Sequence, residues 1–504
     1  MAFRFRPDAE FIVSRERRLT RRQVWANVEA LVAGLQALDI QPGERVVTLL
    51  PAGPEAVYAM FVPWLLGTVE VPLHPLLREH ELHHVLADCA ASAVLTTRRW
   101  YGHDYPAMLA RLLPDLPHLR AVVIHGGEGD GRTFFSLDEV MAASRPPRRA
   151  PVSPKEMGRI AYTSGTSGLS KGVVHTRDGY WGLLHPAVLP RLSPRLLRCL
   201  LLPFPPCYYS GYLGVVSALL AGGRVILVDR FHPQQVLETI QRERASLLAL
   251  SPTMCRLLLR ATGQERYDLS SVQRIIFSTE PMPFELAEAL HERFRCPLEQ
   301  VYGSNEVGYV TWTGLRDPWQ QVATTVGRPV PGARLRIVDD ERRPLPAGKR
   351  GEIAVQTAQM MSGYYRDPAL TARVLDAEGW FYTGDVGYLG DDGYLRLVDR
   401  KSDVIIRGGQ NIYPAEVELY LQRHPFIRRA GVVGVPHQTG GEAVWAFVEL
   451  LPGAKLSPTE VLNFCRGQIA PFKIPDQVRF VERLPMTVTD KVQRFRLREM
   501  ACDE

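Results

Sequence analysis

Residues 162–176 read YTSGTSGLSKGVVHT, a run holding three glycines, six serines or threonines and one lysine, Lys171. The residues just before it, Gly158 to Ala161 (GRIA), and its own end, Gly172-Val173-Val174, have strand character. The spacing therefore predicts a β-hairpin whose loop is built from small residues. Such a loop leaves backbone N–H groups open to close approach by a polyphosphate, and Lys171 adds a mobile positive charge. A plain surface hairpin would share this composition. The order of the residues is what argues for phosphate.

Known phosphate and nucleophile motifs do not account for it. A Walker loop needs Gly before the Lys and Ser or Thr after it. Here Ser170 precedes Lys171 and Gly172 follows. No GxGxxG opens a helix, so the dinucleotide fingerprint is missing too. A GxSxG string runs from Gly168 through Ser170 to Gly172, but a nucleophile elbow needs a helix straight after it, and Val173-Val174 reads as strand.

Working outward, the flanks alternate between strand and helix patterns. Thr20 caps a predicted helix reaching about Asp39, with Val24, Val28, Leu31, Val32, Leu35 and Leu38 on one face. Arg45 to Leu50, Val69 to Pro72, Ala93 to Thr96 and Ala121 to Ile124 read as strands, separated by helices at Glu55 to Leu66 and Glu79 to Ala87. The alternation resumes from Arg224 to Arg293. This predicts an α/β fold with helix-covered parallel sheets. Shorter β segments dominate from about Pro329, and a final α+β unit begins near Lys401. The expected division is an N-terminal domain over 1–400 and a small C-terminal domain over 401–504.

At 504 residues with 46% hydrophobic and 23% charged residues, the chain reads as a globular protein of more than one domain. The net charge of +6 is mild and interleaved. It suits small anionic substrates and gives no nucleic-acid footprint. The Arg145–Ala150 patch, RPPRRA, reads as solvated linker. Seven cysteines without a CxxC suggest neither a disulfide framework nor a zinc knuckle, which fits a reducing compartment. No signal-peptide pattern opens the chain, and the most apolar run, Phe61 to Leu77, is broken by Pro63, Glu70, Pro72 and Pro75. A cytoplasmic location without membrane attachment is the expectation.

The glycine-hydroxyl loop resembles the signature loop of the adenylate-forming superfamily, which includes acyl- and aryl-CoA synthetases, adenylation domains of peptide synthetases and luciferases. It departs at Ser167, where Thr is usual, and at Ser170, where Pro is usual. Further motifs follow in the family's order: STEPMP at 278–283, VYGSNEVG at 301–308, GWFYTGDVG at 379–387, DRKSD at 399–403, GGQNIYP at 408–414 and LPMTVTDKVQR at 484–494. The resemblance thus covers nearly the whole chain, and implies a large N-terminal domain with a β-rich subdomain, joined by a hinge to a small C-terminal domain.

It also implies roles. ATP would be held by Thr163, Ser164, Gly165, Thr166, Ser167, Gly168 and Lys171, by Glu280 and Pro281, and by Tyr302, Asn305, Asp385 and Arg400. Tyr302 would stack on adenine, while Asp385 and Arg400 would hold the ribose hydroxyls. Glu306 would bind Mg2+, an ion that takes one or two carboxylates and keeps phosphate or water oxygens for the rest. Lys491 would be the catalytic lysine, aided by Lys171 and Glu306, although Asp490 stands where Gly is usual. Ser402 would be the hinge, and Gly408 and Gly409 would serve the thioester step. Aligning Pro205 and Gly211 with the family's PxFHxxG segment puts Cys207 and Tyr208, with Gly303, at the acid pocket. Cys207 has no His or Asp partner in the pattern, and we assign it no nucleophilic role. The implied activity is an ATP-dependent acid–CoA ligase that forms an acyl adenylate, with ATP, Mg2+ and coenzyme A, acting on a carboxylic acid that the tyrosines suggest is aromatic. A carrier protein or another nucleophile as acceptor is the alternative, and a nucleotide-binding protein that has lost catalysis is a third reading. The sequence does not indicate an oligomeric state.

Overall fold

The computed structural model describes the chain except residues 1, 2, 4, 16, 143–145, 165–169, 183–192, 279–281, 408–409, 437–441, 467, 470, 488–490 and 503–504. The described residues fall into two compact units. One comprises Met1–Arg334 with Val355–Phe381, the other Leu335–Ala354 with Tyr382–Glu504.

The first unit contains two large sheets. One has eight strands among the described residues, in the order Gly363–Tyr364, Ser170–Thr176, Met157–Ser164, Val69–Pro72, Arg45–Leu49, Ala93–Thr97, Ala121–His125 and Phe134–Ser136. Its centre is parallel, as the alternating pattern predicts; Met157–Ser164 of the phosphate-loop hairpin joins it parallel to Val69–Pro72, and Ser170–Thr176 pairs antiparallel beyond. Nearly every residue of the four central parallel strands is buried, as expected of a sheet covered on both faces. The helix Arg21–Ala37 begins as its sequence predicts. The Thr20 hydroxyl accepts from the Gln23 N–H, and the Gln23 side chain accepts from the Thr20 N–H.

The second large sheet corrects the sequence reading in several places. Glu10–Ser14 and Arg17–Thr20 form a hairpin, and the first of these pairs parallel with Arg224–Leu227, some 200 residues away. The strand Arg17–Thr20 has no apolar alternation, so its pairing with Glu10–Ser14 decides its structure. Tyr209–Leu220, also unassigned from the sequence, is a helix that is apolar on nearly every side and therefore buried. Pro283 is the N-cap of Phe284–Phe294.

In the second unit, a four-stranded sheet contains the antiparallel pair Phe381–Leu389 and Leu395–Arg400. A three-stranded sheet has Glu442–Leu450 at its centre, antiparallel to Ile427–Pro436 and parallel to Gln477–Phe480. Pro414–Leu421 and Pro458–Cys465 pack on it through Val417, Leu421 and Val461. Arg494–Cys502, unassigned from the sequence, closes the other face through Leu497.

Candidate nucleotide and acid sites

The hairpin of Met157–Ser164 and Ser170–Thr176 carries the phosphate-loop residues in register from Arg159↔His175 to Ser164↔Ser170. Thr163 pairs with Lys171 across it. Gly165, Thr166, Ser167 and Gly168 lie outside the described residues, as do Glu280, Pro281, Gly408 and Gly409; for Ser164 and Ser402 only the backbone is described. Gly172 is glycine for a steric reason: a Cβ there would sit 2.8 Å from Ile160 Cγ2 and 3.0 Å from Tyr365 Cβ.

The predicted metal residue lies on a second hairpin. Leu298–Ser304 and Gly308–Trp312 are joined by a turn that contains Asn305 and Glu306. This turn is tight because Gly303 lacks a Cβ, which would otherwise stand 1.9 Å from the Gly308 carbonyl oxygen. The Glu306 N–H donates to Ser304 Oγ (3.2 Å), and its carbonyl accepts from the Met361 N–H (2.7 Å). Tyr302 is half-buried on the same hairpin.

Two residues that the sequence reading passed over connect the hairpins. Tyr364 Oη donates to Glu306 Oε1 at 3.2 Å, while the Lys171 ammonium lies 5.4 Å from the centre of the Tyr364 ring. One aromatic side chain thus touches both the predicted phosphate cation and the predicted metal carboxylate. His175 Nε2 donates to the Asn305 carbonyl at 2.6 Å, fixing the turn to the strand that bears Lys171. Burial drives the His175 pKa down to about 4, so the imidazole is neutral. The helix Glu79–Asp88 braces the other side. His84 Nε2 contacts the Ser170 carbonyl at 3.1 Å, and Tyr162 Oη donates to Asp88. No local sequence signal marks these partners, because each contact spans dozens of residues.

Glu306 fits Mg2+ by its chemistry. It is an accessible carboxylate in a turn, and no group of three or more His, Cys, Asp or Glu that could hold a metal exists among the described residues. A divalent ion would rest on Glu306 together with oxygens of the nucleotide.

At the acid-pocket segment, Tyr208 is the N-cap of Tyr209–Leu220 and its ring lies 5.4 Å from that of His74. Burial pushes the Cys207 thiol up to about 12, and an un-ionised thiol is a poor nucleophile, in keeping with the sequence reading. Gly303 is linked to this region through its neighbour. A Cβ on Gly308, whose φ is +67°, would meet Gln359 Oε1 at 2.2 Å and Tyr209 Oη at 2.9 Å.

Within the second unit, Asp385 and Arg400 face each other across paired strands, with Arg400 Nε 2.6 Å from Asp385 Oδ1. The Asp385 N–H donates to Thr383 Oγ1. Ser402 lies in the short turn Lys401–Asp403 that follows directly. Lys491 is exposed; its N–H donates to Thr487 Oγ1 (3.1 Å), and its carbonyl accepts from the Thr487 N–H (2.7 Å). Three residues on, Arg494 meets Glu418 (2.7 Å), Asp403 (3.0 Å) and Asp399 (3.6 Å).

These features are those of a nucleotide-dependent enzyme. The AMP-binding enzyme profile matches residues 2–365, and the AMP-binding enzyme C-terminal domain profile matches residues 416–491. The chain belongs to the AMP-binding enzyme family, which bears out the resemblance to adenylate-forming enzymes. Feruloyl-CoA synthase from an Amycolatopsis species is 32% identical over 483 residues, spanning 95% of this chain and 93% of that protein. The amide bond synthetase McbA from Marinactinospora thermotolerans is 30% identical, with a TM-score of 0.86 over 97% of this chain and 96% of that one. O-succinylbenzoate coenzyme A synthetase from Bacillus subtilis, solved with ATP and a magnesium ion, is 25% identical, with a TM-score of 0.85 over 98% of each chain. Among the described residues, no helix is long and apolar enough to cross a membrane.

Proposed function

We propose that the protein is an ATP-dependent acid–CoA ligase. The observation that carries this is the contact of Tyr364 with both Glu306 and Lys171, the residues we assign to the metal and to phosphate, which lie 135 positions apart in sequence. A carboxylate is a poor acyl donor because oxide is a poor leaving group. An oxygen of the substrate carboxylate attacks the α-phosphorus of ATP, the bond to the β-phosphate oxygen breaks, and pyrophosphate leaves. Negative charge shifts within the phosphates, and Lys171, the hairpin amides and Lys491 stabilise it. Bound Mg2+, held by Glu306, supplies further neutralisation of the phosphates. Asp385 accepts hydrogen bonds from the ribose hydroxyls, with Arg400 keeping its carboxylate oriented, and Tyr302 covers adenine.

In the second step the CoA thiol loses its proton to solvent, its sulfur attacks the acyl carbonyl, and the carbonyl–phosphate oxygen bond breaks to release AMP. The Gly408-Gly409 segment and Ser402 serve this step as acceptor contact and hinge. CoA is preferred as acceptor because of the GGQNIYP run and the CoA-ligase relatives. The likeness to an amide bond synthetase favours one second reading, in which an amine or a carrier-protein thiol takes the acyl group. The cysteines are free in the structure, which supports action in the reducing cytoplasm, and the domain division at residues 400 and 401 remains our assignment for the hinge. The test is a screen of aryl, short, medium and long-chain acids for ATP-dependent pyrophosphate release, followed by assay of the best acid with CoA, with an amine and with a carrier protein. Thioester formed with AMP in equal amount supports the ligase. Acid-dependent pyrophosphate release with transfer only to an amine or carrier would assign the second reading.

A further inference from the structure

Interior strands of a parallel sheet are expected to be apolar. Val69–Pro72 and Met157–Ser164 are neighbours inside the eight-stranded sheet, yet Glu70 and Arg159 face each other in register across them. Their side chains are only 5% and 2% exposed, and Arg159 Nη1 lies 3.3 Å from Glu70 Oε2. Replacing such a pair with apolar residues of similar volume is often neutral or stabilising, so stability alone does not explain it.

Its other contacts do. Arg159 Nη2 donates to the Cys207 carbonyl at 2.9 Å and reaches the Pro206 carbonyl at 3.5 Å, and the guanidinium lies 5.3 Å from the centre of the Tyr212 ring. The segment Pro205-Pro206-Cys207-Tyr208 is poor in backbone donors because two of its residues are proline. A cation from another strand therefore satisfies carbonyls that the segment cannot satisfy itself. Tyr208 follows at once and opens the helix Tyr209–Leu220 with no side-chain cap. Arg159 also precedes Tyr162 by three residues on the strand that leads into the phosphate loop.

We infer that Arg159, held by Glu70, is a positioning residue that sets the acid-pocket segment 205–208 against the phosphate hairpin, so that the pair governs binding of the acid and not of ATP. The inference rests on the ligase reading. Arg159 acts through the backbone of Cys207 and Pro206, which places the Tyr208 ring. Glu70 acts through Arg159 by compensating a guanidinium buried from water. Burial pushes the Glu70 carboxyl up to about 7 while Arg159 pulls it down, so the carboxylate form depends on its partner.

The test measures pyrophosphate release by the full chain, using whichever of benzoate, ferulate or octanoate the wild type turns over fastest. Arg159→Met, Arg159→Lys and the double variant Arg159→Met/Glu70→Met are compared. Loss of a charge-assisted hydrogen bond to the segment raises KM for the acid about tenfold in Arg159→Met. KM for ATP stays within about twofold, because uniform ATP binding is untouched. Arg159→Lys recovers part of the acid affinity. The double variant melts close to the wild type but keeps the raised KM for the acid. A double variant with wild-type KM for the acid, or KM for ATP rising in parallel, would overturn the inference. A wild type that releases pyrophosphate with no acid overturns it as well, and is told apart because the ligase reading then fails first.

Discussion

Replacing Arg494 with Met should loosen the C-terminal unit by an amount that can be worked from its contacts. The guanidinium meets Glu418 through two nitrogens, Asp403 through a third contact and Asp399 more loosely. Glu418 also accepts from the Val432 N–H, and Asp399 from the Ala415 N–H. The arginine therefore joins the Asp399–Asp403 segment, Pro414–Leu421 and Arg494–Cys502. The side chains of Arg494 and Asp399 are 16% and 3% exposed, so screening by solvent is slight. Removing one partner of a buried ion pair costs about 3–5 kcal/mol, and the lower end applies here because carboxylates can take up protons. At about 1.4 kcal/mol per factor of ten, 3 kcal/mol speeds amide exchange in the unit by about a hundredfold where exchange reports stability.

The assay is hydrogen–deuterium exchange of the peptides covering Ile427–Pro436 and Glu442–Leu450. Its pH dependence adds a second check. Burial already lifts the Asp399 pKa to about 6, with Arg494 opposing the shift. A carboxyl whose pKa is raised on folding binds more protons in the folded state, so the stability it contributes falls as pH rises through that window. Without Arg494 the window extends above pH 6, and the gap between variant and wild type should widen from pH 6 to pH 8. A change in exchange of less than about threefold, or a gap that narrows with pH, would refute the reasoning.

Tyr364→Phe removes the donor to Glu306 and should lower kcat/KM for magnesium–ATP about tenfold, measured by pyrophosphate release; an unchanged value would contradict the proposed metal role of Glu306 acting with Tyr364. Gly303→Ala puts a methyl group against the Gly308 carbonyl and should destabilise the hairpin by about 2 kcal/mol, seen as a lower Tm and a weaker rise in Tm on adding ATP. His74 has its pKa lowered to about 4, chiefly by burial and secondarily by the Arg78 charge, and its Nδ1 accepts from the Leu76 N–H. The stability gained by keeping it neutral is present above about pH 6.5 and is lost as pH falls toward about 4, so wild type should lose urea resistance relative to His74→Gln over that range.

Much of the architecture follows from local pattern. The phosphate hairpin, the Thr20 helix cap and the strand–helix alternation were legible because each depends on residues a few positions apart. The hairpin at Glu10–Thr20 was not, since Arg17–Thr20 carries no apolar alternation and its partner Glu10–Ser14 joins the sheet only beside Arg224–Leu227, far along the chain. Tyr209–Leu220 hid because a helix buried on all sides has no polar face to reveal its period. At the site, the motif residues were singled out by their resemblance to the adenylate-forming family, and the structure brings Glu306 toward Lys171 and Asp385 onto Arg400. Their supports were not readable. Tyr364, His175, Asp88 and Arg159 act across sheet and loop boundaries, where only folded proximity gives them a role.

The central claim is adenylation of an acid before thioester formation, with Lys491 serving the first step. Its most direct test compares two half-reactions in wild type and Lys491→Ala: acid-dependent exchange of pyrophosphate into ATP, and CoA thioester formation from synthetic acyl adenylate. The account predicts that the variant loses the exchange and largely keeps thioester formation. Equal loss of both, or exchange that persists without Lys491, would contradict it.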